Sequence, residues 1–190
     1  NNLFVNSSWN LGVKEAKNEY VCLANDDIKI AQNFCSKILE NFTDKYGIIG
    51  MNEQEVIDTR DIDNNVVIDI NNVELNSSEP ITFRPTNFGI MMFFKKETYV
   101  EIPEDLKIYF GDDWLIYQAK KKKKINATCV GQKVYHLGSL SSSRFMDKLQ
   151  IEEQIYLKHV MKYRYLFDYF EDKYFRRWFI LGLKIKKRKK

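Results

Sequence analysis

Residues 20–29, YVCLANDDIK, decide how this chain is read. The apolar run Tyr20–Ala24 stops at Asn25-Asp26-Asp27, and apolar residues return at Ile28 and Ile30. A short apolar run bounded by polar residues predicts a buried strand, so two adjacent carboxylates stand at its carboxyl end. In open α/β sheets that end faces the crevice where ligands bind. Neighbouring anions repel, and a cation beside them relieves the cost. Hard divalent ions such as Mg²⁺ and Mn²⁺ combine carboxylate with phosphate oxygens, so a diphosphate would complete the shell. Taken alone, the dipeptide is better explained as a solvated acidic turn.

Working outward, NLGVKEAKN (10–18) predicts a helix with Leu11, Val13 and Ala16 on one side, and Asn1–Val5 ahead of it reads as a short strand. Residues 30–42 set Phe34, Ile38 and Phe42 four apart with Cys35 and Leu39 beside them, which predicts an amphipathic helix. Tyr46–Met51 (YGIIGM) is a further apolar strand. The order β, α, β, α, β over the first fifty residues predicts an α/β fold whose sheet is mostly parallel and flanked by helices.

The stretch 52–87 is polar and Asn-rich, with alternating segments at 65–70 and 80–84 that suggest exposed hairpin strands. GIMMFFKK (89–96) reads as a buried strand. In YFGDDWLIYQAKKKK (109–123) the acids come first and the lysines last, the order a helix macrodipole favours. Residues 128–138 predict a strand or hairpin ending at His136. From Ser141 onward the pattern is helical, through Phe145, Leu149, Glu152, Ile155 and Tyr156, and continues into an aromatic-rich segment from Tyr163 to Phe179. With neither an internal repeat nor a Pro/Gly/Ser linker, no second independent domain is expected, and the chain reads as one domain over 1–143 followed by a C-terminal helical extension with a basic tail over 144–190.

The 190 residues suffice for one cored domain, and 44% hydrophobic with 14% aromatic residues excludes a disordered chain. The formal net charge of +4 is local: residues 184–190 hold six of the thirty Lys and Arg, leaving 24 bases against 26 acids elsewhere. Cys22, Cys35 and Cys129 form neither a CxxC nor a Cys/His cluster, which predicts reduced, buried thiols and a cytosol-like compartment. The sequons at Asn6, Asn41, Asn76 and Asn126 are what an Asn-rich chain produces by chance. No apolar run approaches 18 residues, so no membrane span is expected.

A second acidic pair, Asp112-Asp113, follows Phe110-Gly111. One Asp would cap the coming helix; a doublet also offers a general base for a hydroxyl proton. His136 stands at a strand end beside the loop Gly138-Ser139-Leu140-Ser141-Ser142-Ser143, within reach of a metal or phosphate, and Mn²⁺ tolerates nitrogen. His159 reads as structural. The aromatic rings of Phe88, Phe110 and Trp114 could offer a flat face to a sugar, or belong to the core.

The succession NLGVKEAKNEYVCLANDDI, FGIMMFFKK, FGDDWLIYQA, VYHLGSLS resembles glycosyltransferases of the GT-A fold, close to family 2, over residues 3 to about 143. In that family a DxD-type motif at a strand end holds the metal and the nucleotide-sugar diphosphate. The resemblance implies that Asn25-Asp26-Asp27 is that motif, with Asp27 on the metal and Asp26 near the ribose or sugar. It further implies that Gly89 begins the strand under the donor sugar, that Asp113 is the catalytic base with Asp112 holding a hydroxyl, and that His136 binds the metal or pyrophosphate. Family members open with a βαβ unit that supplies the nucleotide-base pocket, and the resemblance places the start of this chain after it.

What the resemblance implies is a Mn²⁺- or Mg²⁺-dependent inverting transfer from a UDP- or GDP-sugar to a glycan, lipid-linked or protein hydroxyl, in the cytoplasm or at the cytoplasmic face of a membrane. Two rivals stand beside it. A basic-tailed binding module would use Lys120–Lys124 and KIKKRKK; charge runs are usually solvated faces, so nucleic acid is disfavoured, whereas YFRRWFILGLKIKKRKK mixes Trp and Phe with bases as interfacial helices do. A metal-dependent phosphotransferase or nuclease would need more clustered carboxylates than the two pairs.

Overall fold

The computed structural model describes residues 3–59, 77–138, 145–161, 167–171, 175–180 and 183–189. In chain order these form α1 (Phe4–Glu15), β1 (Tyr20–Ala24), β2 (Ile28–Lys29), α2 (Phe34–Glu40), β3 (Tyr46–Met51), β4 (Val56–Asp58), β5 (Ser77–Pro80), β6 (Met91–Lys95), α3 (Gly111–Lys121), β7 (Ile125–Val130), β8 (Val134–His136), α4 (Met146–Val160), β9 (Phe167–Glu171), β10 (Phe175–Ile180) and β11 (Leu183–Arg188).

A five-stranded sheet in the order β1-β6-β3-β7-β5 forms the centre. β3, buried at all six positions, lies in its middle, as a YGIIGM run covered on both faces should. Its side chains alternate between two cores. Ile48 joins Val21, Leu23, Met92 and Phe94 against α1, α3 and α4 through Val13, Leu115, Ile116 and Leu157. Ile49 and Met51 turn the other way, with Met91 and Phe93, against Phe34 and Ile38 of α2. At seven residues α2 is too short to persist alone. Burial of Phe34 and Ile38, at roughly 1.5–3 kcal/mol for each such side chain, holds it in place.

The α/β class is observed, but the mostly parallel sheet is not. β6 pairs antiparallel with both β1 and β3, β5 pairs antiparallel with β7, and β3 with β7 is the parallel pair. β1 and β3 therefore do run the same way, as a β-α-β reading requires, yet β6 is inserted between them from some forty residues downstream. Direction follows from a short crossover; adjacency is decided by which strand satisfies the backbone donors and acceptors of each edge. Two smaller sheets complete the set, β2-β8-β4 and β9-β10-β11.

Three further expectations are corrected. The strand expected at Asn1–Val5 is the start of α1 over its described part, because α1 aims Asn6, Trp9 and Val13 inward at helical spacing, with Asn6 and Val13 buried and Trp9 packed on the core. Among the described residues α4 is the last helix; the described parts of the aromatic and basic segments beyond it form the antiparallel β9, β10 and β11, so most of KIKKRKK lies on a strand rather than on the expected interfacial helix. Cys129 is buried as expected, whereas Cys22 and Cys35 are exposed free thiols. The strand expected at 65–70 and the loop Ser139–Ser143 lie outside the described residues. The segment 80–84 contributes Pro80 alone to a strand.

Candidate functional site

β1 ends where the sequence places its acids. Ala24 pairs with Met91 of β6, and Asn25 N donates to Ile90 O at 2.9 Å, which fixes Asn25-Asp26-Asp27 at the carboxyl end of β1. β2 then pairs with β8, setting Ile28 opposite His136, and Leu137 N donates to Asp27 O at 3.0 Å. The result is a polar cluster: His136 Nε2 stands 3.1 Å from Asp27 Oδ1 and 3.4 Å from Asn25 Nδ2. His136 is buried and Asp27 half-buried, so the carboxylate is partly open to solvent while the imidazole is not. Asp26 is exposed on the turn between them.

Asp112 and Asp113 occupy the first turn of α3, after a left-handed Phe110 with φ of 62°. Asp112 Oδ1 accepts from Asp113 N at 3.0 Å, within the first turn of the helix. Arg84 then binds both acids: Nη1 lies 3.2 Å from Asp112 Oδ2 and Nε lies 3.0 Å from Asp113 Oδ2. One guanidinium thus offsets the repulsion between adjacent anions, a task its planar fork suits. Nothing in the local pattern around ITFRPTN singles Arg84 out, because its partners lie 28 and 29 residues further along the chain.

The two clusters meet across residues 88–90. Phe88–Ile90 form a 3-10 turn leading into β6. Ile90 O holds Asn25, and the Cα of Gly89 faces Asp112 so closely that a Cβ there would stand 2.8 Å from Asp112 Oδ2. Asn25 and Asp112 therefore approach neighbouring residues of one turn, although 87 positions separate them in the sequence. Gly89 lies in the turn ahead of β6, which begins at Met91, so it does not itself begin that strand.

The loop that delivers α3 is held by side chains whose roles are invisible in a hydrophobic pattern. Asn6 of α1 is 1% exposed. Its Nδ2 donates to Leu106 O at 3.2 Å and Tyr109 O at 3.1 Å. One turn on, Asn10 Nδ2 donates to Ile102 O at 2.8 Å while its Oδ1 accepts from Ile102 N and Tyr99 Oη. From α4, Glu152 Oε2, on a side chain buried in the core, accepts from Ile108 N at 3.0 Å and Tyr109 N at 2.8 Å. Phe110 stacks on Tyr156 with centroids 5.3 Å apart. A carboxylate and two amides thus satisfy the loop's backbone groups, as burial demands.

Trp114 does not face the site. It is 9% exposed, in the core, and its Nε1 donates to Val100 O at 3.3 Å and Glu101 O at 3.0 Å. Position 114 lies on the inward stripe of α3 with Leu115 and Ala119, so its ring is committed to packing. His159 has a structural partner, Asp105 Oδ1 at 2.8 Å, and sits edge-on to Trp114. The lysine run fans out onto protein: Lys120 Nζ donates to Thr82 O, Lys122 Nζ to Glu97 O and Thr98 O, and Lys124 Nζ to Asp44 O. Asn6 and Asn126 are both buried, so neither sequon is presented to solvent.

Asp27 and His136 fit a single hard ion. Cis donors on an octahedral Mg²⁺ or Mn²⁺ at ~2.1 Å stand about 3 Å apart, close to the 3.1 Å between Asp27 Oδ1 and His136 Nε2. Among the described residues no group of three His, Cys, Asp or Glu gathers into a metal site, so water and phosphate oxygens would supply the remaining ligands. Among the described residues no helix is long and apolar enough to cross a membrane. No protein-family model matches the chain, nor does any curated protein.

Proposed function

We propose that this chain is a metal-dependent, inverting glycosyltransferase of the GT-A type, close to family 2, moving a sugar from a UDP- or GDP-sugar to a hydroxyl acceptor. The observation that carries the reading is the convergence of Asn25-Asp26-Asp27 and Asp112-Asp113 on the single turn Phe88–Ile90. Asp112 packs so closely on Gly89 that a Cβ there would displace its carboxylate, while the next residue of the turn, Ile90, holds Asn25.

In this reading Asp27 and His136 hold the divalent ion, and Asp26, exposed beside them, meets the ribose or sugar of the donor. The ion supplies positive charge to the leaving diphosphate. Asp113 accepts the proton of the acceptor hydroxyl as its oxygen forms the new bond to the anomeric carbon. The bond from that carbon to the diphosphate oxygen breaks, and the nucleoside diphosphate leaves with the electron pair. Attack from the face opposite the leaving group inverts the centre. Asp112 steadies the helix start and orients a sugar or acceptor hydroxyl. Arg84 positions both carboxylates, and the acceptor hydroxyl must approach Asp113 past it. Holding donor and acceptor in one crevice removes much of the entropic barrier. Catalysis at the cytoplasmic face of a membrane, through the basic tail, belongs to the same proposal.

The test is thermal unfolding with Mn²⁺ and a panel of nucleotides. UDP or GDP with Mn²⁺ should raise the melting temperature, by the linkage that stabilises any ligand-bound native state. Asp27→Ala should abolish that rise, and Asp113→Asn should keep it while losing transfer. A rise with Mn²⁺ alone, unaffected by nucleotide, would favour a metal-dependent phosphotransferase; no rise with any nucleotide would refute the proposal.

A further inference from the structure

We propose that Cys22 of β1 and Cys35 of α2 form a dithiol site that a low-molecular-weight disulfide oxidises to an internal disulfide, closing a loop around the Asn25-Asp26-Asp27 turn. The inference needs only the fold, and it stands whether or not the chain transfers sugars.

Period two along β1 sorts its side chains between the two cores. Val21 and Leu23 face the core under α1, α3 and α4, whereas Tyr20 packs on the core that α2 covers. Cys22, two residues on, shares the face of Tyr20. The neighbouring strand agrees: Cys22 pairs with Phe93 of β6, and Phe93 belongs to the core on the α2 side. On α2, Phe34 and Ile38 turn to the sheet, while Cys35 and Leu39 line one flank that runs on to Phe42 just past the helix end. Two ring contacts join these faces. Phe42 meets Tyr20 edge-on with centroids 5.4 Å apart, and Phe34 stacks on Phe93 at 6.3 Å. Cys22 adjoins both contacts, two residues from Tyr20 and opposite Phe93. Cys35 adjoins both as well, next to Phe34 and on the flank that ends at Phe42.

α2 carries the chain back from the carboxyl end of β1 to the start of β3, so it runs against β1. Stepping back from Phe42 to Cys35 covers about 10.5 Å of helix, and stepping forward from Tyr20 to Cys22 covers about 6.7 Å of strand. The two thiols therefore stand at nearly one height, on facing elements. Each feels the other's surroundings: the Cys22 thiol is pushed up to about 12, by burial first and then by the charge of Cys35, and burial raises Cys35 too. Both residues are exposed free cysteines, whereas Cys129 is buried.

The exchange balances without any further oxidant. Cys35, which lacks the second of the two effects on Cys22, loses its proton and attacks one sulfur of RS–SR; Cys35–S–SR forms, and RS⁻ leaves with the electron pair and takes up a proton. Cys22 then loses its proton and attacks the Cys35 sulfur, expelling the second RS⁻. Two protein thiols are oxidised and one RS–SR is reduced to two RSH. The raised thiols slow both attacks near neutral pH, since the thiolate is the nucleophile. Facing sulfurs favour the internal bond over a second adduct, because that step is intramolecular. The closed loop contains Asn25, Asp26 and Asp27, so oxidation ties the strand that ends on the candidate metal turn to the helix that follows it.

The test is incubation of the full chain with oxidised glutathione at mildly alkaline pH, followed by alkylation under denaturing conditions, intact mass and peptide mapping. Wild type should lose the mass of two hydrogens, keep one alkylatable thiol, Cys129, and yield a peptide that joins Cys22 to Cys35; dithiothreitol should restore all three thiols. C22S and C35S should instead each retain a single glutathione on the remaining exposed cysteine, and C22A and C35A repeat the measurement should a serine variant fail to fold. The proposal is overturned if wild type carries a glutathione on each of the two cysteines, if Cys129 enters the bond, if the bond joins two chains, or if all three thiols stay unmodified. Asp27→Ala should form the same internal bond while losing nucleotide binding, so failure of the glycosyltransfer reading and failure of this one are told apart.

Discussion

Glu152→Ala removes the carboxylate and leaves two backbone donors without their acceptor. Glu152 Oε2 accepts from Ile108 N at 3.0 Å and Tyr109 N at 2.8 Å, on a side chain 3% exposed overall. Hydrogen bonds to a charged group contribute about 1.5–3 kcal/mol each, so the pair sets a ceiling of about 3–6 kcal/mol. Ile108 and Tyr109 are half-buried, so water can repair part of the loss, and about 3 kcal/mol is the expected cost. For a chain of this size that is a fall of roughly 6–12 °C in melting temperature. Glu152→Gln keeps an oxygen in place and loses only its charge, so it should cost about half as much. Urea unfolding of the three proteins, with the slope compared to exclude a change in the unfolded state, measures both numbers. A loss below about 1 kcal/mol in Glu152→Ala, or equal losses in the two variants, would refute the argument that this carboxylate holds the loop feeding Asp112 and Asp113.

The other predictions concern the site's glycines, its ion pairs and a thiol. In Gly50→Ala the new Cβ would stand 2.5–2.6 Å from three ring carbons of Phe88, which is fully buried; overpacking of this kind should cost about 3 kcal/mol, and urea unfolding within 0.5 kcal/mol of wild type would contradict it (~0.5, the usual surface-substitution range). Gly89→Ala should keep most of the stability, because Asp112 can swing away, but should weaken transfer by displacing that carboxylate; unchanged kcat/KM would count against the shared-turn reading. A double-mutant cycle on Arg84→Ala and Asp112→Asn should return a coupling of about 0.5–1.5 kcal/mol, kept small by the partial exposure of Arg84, and no coupling would dissolve the clasp. Burial pushes the Cys129 thiol from its ordinary 9.0 up to about 12. Below pH 9 both folded and unfolded thiols are protonated and this contribution is fully present. As pH climbs from 9 towards 12 only the unfolded thiol ionises, so the native state loses stability. Wild type should therefore lose stability relative to Cys129→Val across that window, and a pH-independent difference between the two would refute the shift.

Much of this was legible in the sequence. Tyr20–Ala24 and Tyr46–Met51 are strands because each is a short apolar run with sharp polar ends. α3 begins and ends where acids give way to lysines, and α4 follows the spacing of Leu149, Glu152 and Tyr156. The candidate acids, Asp27, Asp112 and Asp113, were legible as doublets after a strand and a glycine. α1 was partly hidden because two of its inward positions, Asn6 and Asn10, are polar: they face loop carbonyls rather than oil, so the apolar period breaks where the helix does its positioning. Trp114 pointed the wrong way for the opposite reason, since an aromatic beside an acidic pair looks exposed until the inward stripe of α3 claims it.

By itself, then, the sequence determined the segments and their chemistry, because period, caps and turn residues act over a few positions. Only the tertiary structure decided which segments touch: β6 between β1 and β3, β9 to β11 as strands instead of helices, Arg84 across both acids, and Gly89 against Asp112 beside the Ile90 carbonyl that holds Asn25. Those contacts join residues up to about a hundred positions apart. They are settled by the edge that needs backbone partners and the charge that needs a counter-ion, conditions that exist only once the chain has folded.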